Sequence, residues 1–163
     1  MDANEKPKST NRGTSRRKGK IILSTQQITI STTIAAPIDK VWRAYSTPTD
    51  IRGWNFASDA WRCPSAEVDL RVGGRYKARM EAKDGSFGFD FEAVYDEVVP
   101  PNAVSLAMSD GRKARATFEA QGAGTKVTIV FDAEGQNSID MQRSGWQAIL
   151  DNFRKYVEAK RSA

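Results

Sequence analysis

The chain has 163 residues, 39% of them apolar, with 25 Lys plus Arg against 20 Asp plus Glu, a composition that fits one ordinary globular domain. It contains no His and one Cys, which excludes Ser-His-Asp and Cys-His nucleophile activation, His-ligated zinc, an internal disulfide and any Cys-rich metal site. No run of about 18 apolar residues exists to span a membrane, and the N-terminus lacks the apolar stretch of a secretory signal, so a cytoplasmic protein is expected, with no cofactor.

Residues 1–20 carry seven basic side chains and two acidic ones, which leaves eighteen of each sign in the rest of the chain. The high isoelectric point therefore belongs to this segment alone. It has almost nothing to bury, so residues 1–26 are predicted as a disordered basic tail. Arg16-Arg17-Lys18-Gly19-Lys20 reads either as a salt-sensitive contact with an anionic surface or as a solvated leader. The second reading is preferred, and no specific nucleic-acid partner is expected.

Ile28, Ile30, Thr32 and Ile34 alternate with Thr29, Ser31 and Thr33, which predicts a first strand over 27–34. Ala36-Pro37-Ile38-Asp39 opens a short helix holding Val41, Trp42 and Tyr45; Pro48 ends it and starts a second. Residues 65–71 are expected to form a short edge strand. From residue 72 the chain is a meander of strands with one apolar face each, separated by Asp84-Gly85 and Asp110-Gly111, by Gly122-Ala123-Gly124 and by Pro100-Pro101-Asn102. The Asp-Gly pairs predict two-residue type I′ turns. Val94 and Val98 fall out of phase with the aromatic run Phe87, Phe89, Phe91, which hints at a bulge. Residues 138–160 repeat apolar side chains at helical spacing around Trp146, with Asn137 as the expected N-cap.

That order of elements, with WRCPSAEVDLRVGG at 61–74, RMEAKDGS at 79–86, GFDFEAVYDEVVP at 88–100 and GWQAILDNFRKYVE at 145–158, resembles the family called activator of heat-shock-protein-ninety ATPase homologue 1-like, within the START-like, helix-grip or SRPBCC superfamily. The resemblance spans residues 27–160 and implies an α+β helix-grip fold: a curved antiparallel sheet of six to seven strands around a long C-terminal helix, with two short helices after strand 1. Residues 161–163 would be a C-terminal tail. It also implies a cavity between sheet and helix, which relatives use for lipid and polyketide binding, cyclisation, hydrolysis or chaperone regulation.

The candidate walls of that cavity are Trp54, Trp61, Met80, Phe89, Phe91, Met108, Gln142 and Trp146. Rings and thioethers on inward faces suit an adaptable apolar pocket. Trp54 and Trp61 either line it or plug the open end of the grip as core, whereas Trp42 reads as core. Gln142 sits in the apolar stripe of the last helix, facing either a ligand or solvent beyond the sheet edge, and Arg143 has the same two readings. Asp90 and Glu92 alternate with the phenylalanines and read as surface charges paired with Arg79 or Arg75, unless the bulge turns them inward as acid and base. Cys63 reads as a small buried hydrophobe, Gly73-Gly74 as a turn, and no metal-binding spacing is found. No residue is assigned a catalytic role. A hydrophobic small molecule is the expected partner, with a chaperone contact, a cyclase or hydrolase activity and a homodimer left open. Lys113 and Arg115 are read as charges that would block pairing at a sheet edge.

Overall fold

A computed structural model of the protein describes residues 26–161, so the expectation for the basic N-terminal segment lies outside the described residues up to Thr25. The elements run β1 (Gln27–Ile34), α1 (Ile38–Ser46), α2 (Pro48–Trp54), β2 (Trp61–Val68), β3 (Arg75–Ala82), β4 (Gly88–Val99), β5 (Ala103–Met108), β6 (Lys113–Gln121), β7 (Gly124–Asp132) and α3 (Ile139–Arg161). The seven strands form one antiparallel sheet in the order β1-β7-β6-β5-β4-β3-β2. The last strand thus returns to pair with the first, and β1 and β2 are the edges.

The period-two reading places the inward face correctly. Ile28, Ile30 and Ile34 of β1 are buried, as are Ala114, Ala116 and Phe118 of β6 and Val127, Ile129 and Phe131 of β7. α3 lays Leu150, Phe153 and Val157 on this face, and it packs most extensively against β1. Polar ties fix its position: Ala35 N–H donates to Glu158 Oε2 at 2.9 Å, Gln147 Nε2 to the Ser31 carbonyl at 3.2 Å, and Asn152 Nδ2 to the Trp54 carbonyl at 2.9 Å. The helix therefore covers the β1–β7 side of the curl and leaves the inward faces of β3, β4 and β5 only partly covered.

Several local expectations are corrected. The edge strand begins at Trp61 rather than residue 65 and ends at Val68. Its pairing with β3 shifts between Arg62 and Ser65, because Pro64 has no N–H to give to the ladder and sits where the register slips. The Asp-Gly loops are longer than two-residue turns. Gly85 N–H donates to the Ala82 carbonyl and Gly111 N–H to the Met108 carbonyl, each at 3.0 Å, so each glycine takes the fourth turn position with φ of 79° and 92°. The Asp84 and Asp110 carboxylates accept the N–H two residues on, from Ser86 and Arg112, a local bond that stabilises such loops. The N-cap of α3 is Ser138, whose Oγ accepts the Met141 N–H at 3.1 Å, and not Asn137. Lys113 and Arg115 lie on an interior strand, where they pair with Asp96 at 2.8 Å and Glu97 at 2.7 Å and guard no edge.

The hinted bulge is present, between Tyr95 and Glu97 in the β4–β5 pairing. It falls after Asp90 and Glu92, so it leaves them on the outer face.

Candidate functional site

Between α3 and the inward faces of β3 to β7 lies a cavity of ≈ 400 Å³, within the range of about 300–1,000 Å³ found for small-molecule pockets. One helix face supplies Met141, Gln142, Gly145, Trp146, Ile149, Leu150 and Phe153, the i, i+4 and i+8 spacing of a single stripe with its neighbours. From Met141 to Phe153 that stripe runs roughly 18 Å along the helix axis at 1.5 Å per residue. Gly145 matters to the volume, because a side chain there would meet nothing within 4 Å; the helix gives up side-chain packing at this point and the space stays open.

Of the residues singled out from the sequence, the structure brings Trp54, Met80, Phe89, Phe91, Met108, Gln142 and Trp146 to this cavity. Trp146 lies flat on Phe131. Trp54 is buried and borders the cavity; its Nε1–H donates to the Ala44 carbonyl at 3.0 Å, and its ring packs on Tyr45 and Phe153. Phe89, 41% exposed, borders solvent. Trp61 is a correction. It is the first residue of the outermost strand, one strand beyond the wall, and its ring packs edge-on against Phe87 and Phe89 outside the cavity. Trp42 is only half-buried, standing edge-on to Phe118 beside an open groove with Pro100 and Pro101.

Gln142 fits neither of its sequence readings in full. It is buried and borders the cavity, yet its amide is occupied by the chain itself: Oε1 accepts the Glu134 N–H at 2.9 Å, while Nε2 donates to the Glu134 carbonyl at 3.0 Å and the Asn137 carbonyl at 2.8 Å. It ties down the segment entering α3. Arg143 is a surface side chain, 3.8 Å from Asp140.

Asp90 and Glu92 point outward, 3.5 Å from Arg79 and 2.6 Å from Arg75, so no carboxylate from β4 enters the cavity. Cys63 is buried, with Sγ 3.4 Å from the Ser65 carbonyl; burial pushes its thiol pKa up, away from the reactive thiolate. Among the described residues no cluster of His, Cys, Asp and Glu could hold a metal ion.

The sequence reasoning missed the polar groups of the cavity. Tyr45 and Ser46 of α1, Asn55 after α2, Tyr76 of β3 and Tyr95 of β4 all line it, gathered around Trp54, with Tyr76 and Tyr95 edge-on at 6.1 Å and Asn55 Nδ2 3.5 Å from the Tyr76 hydroxyl. Burial drives all three phenols upward, Tyr45 to about 12, so they stay protonated at neutral pH. The far end, toward the start of α3, carries Arg112, Glu134, Asn137 and Met141. Tyr76 and Tyr95 are each buried on their strands; their convergence with Tyr45 needed the curl of the sheet.

A seven-stranded antiparallel half-barrel closed over one long C-terminal helix, with two short helices after the first strand, defines the START-like, helix-grip class. The model of the family described as Activator of Hsp90 ATPase homolog 1-like protein matches residues 35–158, and the chain belongs to that family. Among solved structures, it is similar to the AHSA1-like protein from Aeromonas hydrophila, at 43% identity over 85% of this chain and 96% of that one, with a TM-score of 0.80. Chr148 from Cytophaga hutchinsonii is 41% identical over 83% of this chain and 94% of that one, at a TM-score of 0.71. NE0264 from Nitrosomonas europaea shares the fold at 18% identity, covering 87% of this chain and 100% of that one with a TM-score of 0.74. No curated protein matches the chain. No helix among the described residues is long and apolar enough to cross a membrane.

Proposed function

We propose that residues 27–160 act as one domain that binds an apolar or aromatic small molecule in the cavity between the sheet and α3. The observation that carries this reading is the open space beside Gly145, bordered by Met80, Phe91, Met108 and Trp146. A chain needing only stability gains by filling such a space, since cavities in a core cost stability roughly in proportion to their volume. The inward thioethers and rings can adapt to a guest. Walls of this kind discriminate weakly between guests, one methylene being worth about 1–3 kcal/mol, so the reading extends to the chemical class. No group in the cavity is assigned a catalytic role in this proposal.

The test is a heteronuclear NMR titration of the full chain with fatty acids and polyketide-like aromatic compounds. Saturable shifts at the Trp54 and Trp146 indoles support the proposal. Silence across the panel, with those indoles rigid and protected from exchange, overturns it.

The family's description favours a second reading, a protein contact that stimulates a chaperone ATPase. Stimulated ATP hydrolysis by the chaperone on adding the chain would support that reading over the first. The expected cytoplasmic location accords with either. A homodimer is a further open reading, and β1 and β2, the free edges of the sheet, offer one route to it.

A further inference from the structure

A face of α1 lines a second hollow, outside the cavity. Asp39, Trp42, Arg43 and Ser46 stand at i, i+3, i+4 and i+7, one helical face. With Leu70 from the loop after β2 and Pro100 and Pro101 from the turn after β4, they border an open groove of ≈ 440 Å³. Ser46 alone is shared with the cavity. Apolar surface lies open here, since Trp42 is half-buried and Leu70 exposed. Asp39 and Arg43 are exposed, and neither makes an ion pair among the described residues. Ser46 Oγ is buried without a hydrogen-bond partner, although buried polar groups are paired in the great majority of proteins.

These features suit an extended segment that carries a proline among opposite charges. Proline rings pack in aromatic-lined grooves, and an extended chain keeps its carbonyls free to accept a hydrogen bond, here from Ser46. Asp39 and Arg43 are about 6 Å apart along the helix axis at 1.5 Å per residue. An extended chain advances about 3.1 Å per residue, so charges two or three residues apart on it reach both. Five of the six prolines of the chain lie within residues 37–101, and the sixth, Pro7, stands in Glu5-Lys6-Pro7-Lys8. A residue before proline is steered to extended backbone, which suits Lys6. The distance is also short enough. Gln26, whose carbonyl accepts the Ala133 N–H at 2.8 Å, precedes one end of β1, and α1 follows the other. β1 has 8 residues and measures about 26 Å at 3.3 Å each. Nineteen residues separate Pro7 from Gln26, up to about 60 Å of extended chain.

We infer that the segment Glu5–Lys8 of this chain docks in the groove of α1, with Pro7 against Trp42, Glu5 beside Arg43 and Lys8 beside Asp39. The contact lies outside the cavity and does not depend on small-molecule binding there.

Amide and indole NMR spectra of the full chain at low salt test it. Pro7→Ala, which removes no contact made within residues 26–161, should shift the Trp42 indole and the Leu70 amide. A synthetic peptide of residues 2–10 should shift the same signals saturably. It should bind the Pro7→Ala chain more tightly than the native chain, where the tethered segment competes at an effective concentration on the order of millimolar. Arg43→Glu should weaken the peptide about 2- to 5-fold, the worth of an exposed ion pair, and Glu5→Arg in the peptide should restore it. If Arg43→Glu perturbs α1, Asp39→Lys against Lys8→Glu repeats the exchange at the other end. A peptide that shifts no groove signal, or groove signals unchanged by Pro7→Ala, overturns the docking. Groove shifts that grow with protein concentration make a second copy the occupant and overturn the contact within one chain. Indifference to both charge exchanges overturns the pairing of Glu5 and Lys8. Equal binding of a peptide of the same composition in scrambled order overturns the assignment to this segment.

Discussion

The indole of Trp146 lies parallel to the ring of Phe131, with centroids 4.0 Å apart and planes within 8°. Phe131 is almost fully buried in β7 and Trp146 half-exposed on α3, so this one contact locks the helix to the sheet at the edge of the cavity. Stacked rings contribute about 0.5–1.5 kcal/mol beyond the area they bury. Trp146→Ala should cost about 2 kcal/mol, below the range for a fully buried Trp. A chemical denaturation curve with a lowered midpoint and an unchanged slope would show it.

Gly145 follows from the same stretch of helix. A glycine inside a helix costs about 0.5–1 kcal/mol relative to alanine, and here a Cβ would meet no other atom. Gly145→Ala should therefore raise the thermal midpoint. Gly145→Leu should keep the fold and fill the cavity, abolishing the ligand-induced shifts at the Trp146 indole. Undiminished shifts in the leucine variant would place the ligand elsewhere.

Gly53 is the opposite case. A Cβ there would collide with Cε1 of Tyr156, whose hydroxyl donates to Asp50 at 2.6 Å. Gly53→Ala should displace that ring and destabilise the chain by about 1–3 kcal/mol, as overpacking does. Adding Tyr156→Leu should recover part of the loss in the same denaturation assay, since the shorter side chain removes the clash.

Gln142→Leu would strip the partners from the Glu134 N–H and from the Glu134 and Asn137 carbonyls. A loss of about 1–3 kcal/mol is expected. Hydrogen exchange should quicken first at the Glu134 amide, ahead of the strands.

Stability should be nearly flat between about pH 5 and 7, because no histidine titrates there. Below that range the Asp96 and Glu97 carboxyls, held low by hydrogen bonds from Lys113 and Arg115, take up protons more readily unfolded than folded, so their stabilisation fades as the pH falls below about 4. At the alkaline end the sign reverses. Burial raises Tyr45 to about 12 and lifts Tyr76 and Tyr95 as well, so unfolded chains lose these protons first and stability declines as the pH rises above about 10. Phenolate absorbance of the native protein should lag that of the denatured chain. Coincident curves would contradict the burial of the three phenols.

How much was legible beforehand divides along the range of the interactions involved. Alternation in β1, β6 and β7 and the helical stripe around Trp146 are local periodicities, so element type and inward face could be read directly. Turn chemistry was half legible: Gly85 and Gly111 marked the reversals, but where each hydrogen bond closed depended on strands pairing beyond them. Ser138 displaced Asn137 as cap because both residue types suit that role and only the entry angle of the chain distinguishes them. Trp61 was misplaced since its neighbours in sequence, Trp54 and Phe56, sit near α3, whereas the edge strand carries it out to Phe87.

The sequence by itself determined the types of element, their inward faces and the absence of imidazole chemistry, all properties of composition and of spacing within single elements. The class of fold was carried by the resemblance of its motifs to a known family. Only the tertiary structure decided which walls meet. The sheet curls, α3 settles over β1 and β7, and Tyr45, Tyr76 and Tyr95 arrive at one end of the cavity from three separate elements. Their juxtaposition is a sum of long-range pairings that no local pattern encodes.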